Sequence, residues 1–238
     1  MKELVTVFAA LAVAGAVVAA DSNIVGYQTV TLNQGGFTHI APTFITIGGV
    51  QEVPLSSFVG DFEEFDSIQL VDAAAGTASE YFWLESGSMA PGVSGWYADD
   101  LDTYMGALPV EAGTSFLYLS GSGATALVLS GEVGTAGTSV TAGVGFTAIG
   151  NSFPVETTLG AIGFAGITEF SSVQFVDLAF GTAEEYFWLE SGSMASGVTG
   201  WYADDLDTYK GTLPVAAGQG FLLSTDTDGV VVSIASPL

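Results

Sequence analysis

Two passages of this chain are near copies of each other. Residues 81–113 and 186–218 are identical at 28 of 33 positions, the exceptions being Pro91/Ser196, Ser94/Thr199, Met105/Lys210, Ala107/Thr212 and Glu111/Ala216. Upstream, FDSIQLVDAAAGTA (65–78) parallels FSSVQFVDLAFGTA (170–183), and GFTHIAPTF (36–44) parallels GFTAIGNSF (145–153). The offset is 105 positions for the first two matches (186 minus 81) and 109 for the last (145 minus 36), which gives the first copy four extra residues near 46–54. A period of this length is too long for a solenoid and has the size of a domain. The expected organisation is a leader over 1–20, a first copy over 21–133 and a second over 134–238, joined in the Gly-, Thr- and Ala-rich stretch 131–138.

Within each copy the apolar period is that of strands. SIQLVD (67–72) alternates polar and apolar residues, as a half-buried strand does. Residues 23–32, 81–84, 95–97, 114–120, 124–129 and 230–234 are further strand candidates, separated by Gly, Pro, Ser, Asp and Asn clusters; 134–144 is the weaker counterpart of 23–32. No segment after the leader carries a long helical stripe. The expected fold is all-β, two tandem copies of an antiparallel β-sandwich or small barrel of about 105 residues. In YFWL (81–84), alternation sets Tyr81 and Trp83 on one face and Phe82 and Leu84 on the other. Both faces are apolar, so this strand is expected to be covered on both sides. Residues 99–103 are expected to turn, with one helical turn as an option. The terminal strand 230–234 is expected to pair within its own fold.

The first twenty residues, MKELVTVFAALAVAGAVVAA, combine an early lysine, an apolar run and a small-residue end at Val18-Ala19-Ala20. This is the pattern of a secretory leader cleaved before Asp21. A retained membrane anchor is the other reading, because the run approaches the minimum length of a span. No basic stop-transfer cluster follows it, which favours cleavage.

Charge narrows the function classes. Twenty-six acids stand against two bases, Lys2 and Lys210, for a net charge of −24. Nucleic acid and anionic lipid surfaces are poor partners for such a chain, since both are held through Lys and Arg. Self-repulsion separates monomers unless cations screen or bridge them. The absence of cysteine excludes disulfides, thiolate metal sites and cysteine nucleophiles. Export without disulfides points to a bacterial protein held together by its apolar core.

SNIVGYQTVTL (22–32), GFTHIAPTF (36–44) and LPVEAGTSFLYLS (108–120), following a leader, together resemble a group of secreted β-proteins from verrucomicrobial and related bacteria. That group carries a pattern of the form NxVGYxxVTL…GFxxIxxxF…LPxGxGF, often in tandem. The resemblance implies export and a β fold; it brings no activity and no catalytic residues. This chain departs from the pattern at Pro42-Thr43 and Asn151-Ser152.

Three sets of residues are candidates for chemistry. Trp96 and Tyr97, with Trp201 and Tyr202, can form a sugar-stacking platform, doubled for avidity, or can be core and hairpin packing. Asp99, Asp100 and Asp102, repeated as Asp204, Asp205 and Asp207, offer oxygen ligands for Ca²⁺, or form a solvated turn or a cap. His39 is the only histidine, and its counterpart is Ala148, so no histidine-dependent site is duplicated. Residues 87–89 lack the G-x-S-x-G elbow and the glycine-rich stretches lack a phosphate-binding lysine. Carboxylate pairs for glycoside hydrolysis occur by chance in so acidic a chain. The expectation is a secreted, non-enzymatic protein of the cell surface or extracellular matrix, acting in assembly or adhesion. Its partner is itself, through strand pairing by 23–32, or a surface polysaccharide. A tandem carbohydrate-binding module is the alternative, and a glycoside hydrolase ranks third.

Overall fold

A computed structural model describes residues 25–33, 36–46, 49–72, 77–89, 92–121, 126–177, 182–192 and 197–237. The expected leader, 1–20, lies outside the described residues. The described chain is all-β, with no α-helix. The first half contains β1 (Val25–Thr31), β2 (Phe37–Ile40), β3 (Glu52–Pro54), β4 (Val59–Gly60), β5 (Ser67–Asp72), β6 (Thr77–Leu84), β7 (Gly95–Ala98), β8 (Pro109–Glu111), β9 (Phe116–Leu119) and β10 (Ala126–Glu132). The second half contains β11 (Thr138–Ala142), β12 (Gly145–Gly150), β13 (Thr157–Thr158), β14 (Gly163–Ala165), β15 (Ser172–Asp177), β16 (Thr182–Leu189), β17 (Gly200–Tyr202), β18 (Pro214–Val215), β19 (Gly220–Thr225) and β20 (Val230–Ile234). One 3₁₀ turn precedes β4 and another precedes β14.

The strands form antiparallel sheets, and the same sheet orders occur in each half. A five-stranded sheet runs β2-β9-β5-β6-β7, and another runs β12-β19-β15-β16-β17. Three-stranded sheets run β1-β10-β4 and β11-β20-β14, and two-stranded ribbons join β3 to β8 and β13 to β18. In each half the three sheets enclose one apolar core. The first core includes Ile40, Phe44, Leu55, Ile68, Trp96, Phe116, Tyr118 and Leu127. The second includes Ile149, Phe153, Leu159, Val173, Trp201, Phe221, Leu223 and Val232.

Period-2 burial explains most of the strands. Along β20, Val230, Val232 and Ile234 are buried while Val231 and Ser233 face out. β20 pairs with β11 and β14, so the terminal strand stays within its own half. β12 is different: four consecutive residues, 147–150, are buried, because one face meets the core and the other meets the first half of the chain. That double burial erases the alternation, and neither β12 nor β2 stands out in the sequence for this reason. The extra residues of the first copy fall where Thr46 bridges Val50 ahead of β3.

Residues 99–103 turn as expected, without the helical turn held as an option. Leu101 and its equivalent Leu206 have φ of 60° and 59°, in the left-handed region, which no α-helical turn tolerates.

Candidate functional site

The copied passage builds a small second core on the outer face of each five-stranded sheet. β6 places Trp83 toward the main core and Phe82 and Leu84 toward the other side. Leu84 and Tyr97 are buried there, with Phe82 and Leu101 packed against them; Leu189, Tyr202 and Leu206 repeat the arrangement. Left-handed Leu101 turns its side chain onto this cluster. The chain then folds back along β7: Ala98 N donates to Thr103 O at 2.9 Å, and Met105 N donates to Trp96 O at 2.7 Å. The edge of the sheet is thereby covered, a common protection against unwanted strand pairing. The Tyr104 ring is gripped by two glycines: a Cβ on Gly95 would lie 2.6 Å from its Cε2, and one on Gly106 would collide with its hydroxyl. Tyr209 sits in the same way between Gly200 and Gly211.

The four candidate stacking rings are corrected by this geometry. Trp96 and Trp201 are 0% exposed, and Tyr97 and Tyr202 are 2% and 3% exposed. Trp96 lies edge-on to Trp83 (centroids 5.4 Å apart) and to Phe62 (5.1 Å), and Trp201 packs likewise on Trp188 and Phe164. Tyr97 and Tyr202 spend their hydroxyls on the carbonyls of Val93 and Val198, both at 2.7 Å. No ring face is open to a sugar. Alternation places Trp96 and Tyr97 on opposite faces of β7, and each face meets a core.

The Ca²⁺ reading is corrected as well. Asp99, Asp100 and Asp102, like Asp204, Asp205 and Asp207, are exposed. Asp100 accepts from Thr103 Oγ1 at 2.6 Å, Thr103 N at 2.9 Å and Asp102 N at 3.0 Å, and Asp205 repeats all three bonds. The threonine hydroxyl and the two amides hold both carboxyls below the usual carboxylate range. These aspartates close Asx turns, and both oxygens of the central one are already in use. Among the described residues no group of three His, Asp or Glu side chains converges to hold a metal ion.

His39 belongs to the seam between the two halves. Its Nε2 lies 2.7 Å from Ser115 Oγ, and Ser115 Oγ donates to Ile149 O at 2.8 Å. The hydroxyl has one proton, and the Ile149 carbonyl takes it. Nε2–H is therefore the donor to Ser115, and Nδ1 is the bare nitrogen, with no partner among the described residues. Burial pushes the imidazole pKa down to about 3. A serine beside a histidine suggests a nucleophile and its base, but here the serine proton points at a carbonyl and no third group among the described residues orients the ring. The pair is a packing and hydrogen-bonding element of the seam. Sequence inspection found His39 and its missing counterpart; Ser115, 76 positions away, carried no local signal.

A second polar exchange distinguishes the copies. Buried Asp66 accepts from Tyr118 Oη, Glu63 N and Gly121 N at 2.7, 2.9 and 2.7 Å. Burial, and then the Asp66 carboxylate, raise the Tyr118 phenol above its usual range. The second copy has Ser171 and Leu223 at these places, so acceptor and phenol were exchanged together. Lys210, the only base among the described residues, rests its ammonium 5.9 Å from the Tyr186 ring centroid.

One strand edge is left open. Glu132 N and O exchange hydrogen bonds with Ile45 at 3.0 and 2.9 Å, so this residue of β10 points away from β1. Antiparallel pairs alternate between bonded and non-bonded, and Val25 pairs with Glu132. Val25, Tyr27, Thr29 and Thr31 therefore turn their amides and carbonyls outward, while Gly26, Gln28 and Val30 bond to β10. No described segment pairs with that outer edge. Val25 and Tyr27 are 62% and 78% exposed, and β1 carries no charge and no proline.

No family model, no curated protein and no solved structure matches this chain.

Proposed function

We propose that the protein is a secreted, non-enzymatic scaffold of the bacterial cell surface or extracellular matrix, made of two tandem β units released from a cleaved leader, that works by assembling with copies of itself. The observation that carries this reading is the outer edge of β1, with which no described segment pairs. On a strand without a charge or a proline, Val25, Tyr27, Thr29 and Thr31 turn their backbone groups to that edge. On a chain of net charge −24, it is a place where two copies can meet without bringing carboxylates together. The opposite treatment of β7, whose edge is covered in both copies, supports the view that the exposure of β1 is purposeful. The sequence resemblance to exported tandem β-proteins supports the leader and the location.

The test is light scattering on the chain from Asp21 onward, over a range of concentration and salt, with and without Ca²⁺. The parent is expected to form larger species, more of them as cations screen its charge. Thr29→Pro removes one outward N–H and no bond to β10, so this variant is expected to stay monomeric with its melting temperature little changed. A parent that remains monomeric at high concentration under all conditions refutes the proposal.

A further inference from the structure

The seam between the halves obeys an approximate two-fold symmetry. Ala41 N donates to Gly218 O at 2.8 Å, and its counterpart Gly150 N donates to Gly113 O, the counterpart of Gly218, at 3.0 Å. Ile40 bridges Gln219, and the equivalent Ile149 bridges Thr114, the equivalent of Gln219. These two contacts reappear when the copies exchange roles, which is the mark of an isologous interface.

On such an axis equivalent residues face each other, and there the copies have diverged in one direction. A Cβ built on Gly150 would collide with the Ala41 methyl, its own counterpart. A Cβ on Gly220 would lie 2.8 Å from Ser115 Cβ, again its counterpart, and 2.5 Å from His39 Cδ2. His39 in turn corresponds to Ala148. The larger member of both facing pairs, Ala41 and Ser115, is in the first copy and the smaller, Gly150 and Gly220, is in the second; His39 adds to the first-copy bulk beside Gly220, where its own counterpart is Ala148. Neither glycine has a positive φ, so the need for glycine here is space and not backbone conformation.

We propose that the seam is a directional knob-and-hole interface: the first-copy surface fits the second-copy surface and neither fits itself. Two first-copy surfaces would drive the Ala41 methyls and the Ser115 and His39 side chains together on the axis. Two second-copy surfaces would leave a void where they stand, and would lose the Ser115 to Ile149 hydrogen bond. The partner of each half is the opposite half, in the same chain or in a second copy of it, so any exchange of halves between molecules joins them head to tail. The inference concerns the seam and is independent of the β1 edge.

The test uses the full chain in three forms: the parent, a variant with knobs on both sides (Ala148→His, Gly150→Ala, Gly220→Ser), and one that adds the reverse changes (His39→Ala, Ala41→Gly, Ser115→Gly). The double-knob variant is expected to melt roughly 5–10 °C below the parent, or to fail to fold, because overpacked sites cannot relax. The six-fold exchange restores complementarity in mirrored form and is expected to regain at least half of the loss. A double-knob variant that melts with the parent overturns the proposal, and so does an exchanged variant no better than the double-knob one.

Discussion

Replacing His39 by glutamine removes a titrating group from the seam while keeping an N–H donor for Ser115. The imidazole is 8% exposed, and burial lowers its pKa from 6.5 to about 3. Between those values the unfolded chain binds a proton that the folded chain refuses, so stability is lost as pH falls from 6.5 toward 3. The gap of about 3.5 pH units (6.5 minus 3) amounts to roughly 5 kcal/mol at about 1.36 kcal/mol per unit, as much as the whole stability of a marginal domain, about 5–15 kcal/mol. At pH 4.5, two units below 6.5, the parent should have lost roughly 3 kcal/mol through this residue alone. The assay is urea unfolding followed by tryptophan fluorescence, since Trp96 and Trp201 pass from full burial to water. The many carboxylates also titrate in acid, but they are common to both proteins and cancel in the difference. The stability difference between parent and His39→Gln is expected to move by roughly 2–3 kcal/mol in favour of the variant between pH 7 and pH 4.5. Parallel stability curves across that range would show that His39 is not the buried neutral group described above.

Three further outcomes are expected. Trp96→Ala should cost roughly 3–5 kcal/mol in denaturant unfolding, whereas Trp96→Phe should cost clearly less, because the indole Nε1 has no acceptor among the described residues and its loss leaves no partner stranded. Gly106→Ala should lower the melting temperature by several degrees, and Tyr104→Ala in the same chain should recover part of it, since the new methyl collides with that ring. Asp66→Ser and Tyr118→Leu, the residues of the second copy, should together cost less than the sum of the single changes by roughly 1 kcal/mol or more, measured as a double-mutant cycle by urea unfolding. Either change alone strands the other group in the core.

Several features are legible in the sequence because their signals are local or internal to the chain. The copied passage, the four extra residues near 46–54, the β5 strand over 67–72 and the two-sided burial of residues 81–84 all follow from self-similarity or from alternation over a few positions. The candidate sites were not legible in this way. Trp96 and Tyr97 read as core or as a platform, because exposure is set by what packs over a strand, here Phe62, Trp83 and Tyr118 on one face and Leu84 and Leu101 on the other. The three aspartates read as a turn or as cation ligands, and what separates the two is that Thr103 and the local amides occupy both oxygens of Asp100.

The sequence by itself determined that one passage was written twice, where each copy places its apolar faces, and that His39 lacks a like-sized counterpart. Only the tertiary structure decided that Ala41 meets Gly150 and that Ser115 and His39 meet Gly220 across one axis, and that β7 is covered while no described segment pairs with the outer edge of β1. The physical reason is range: strand periodicity is fixed by neighbours two positions apart, whereas a steric fit between residues 39 and 220 exists only once two sheets have been brought together.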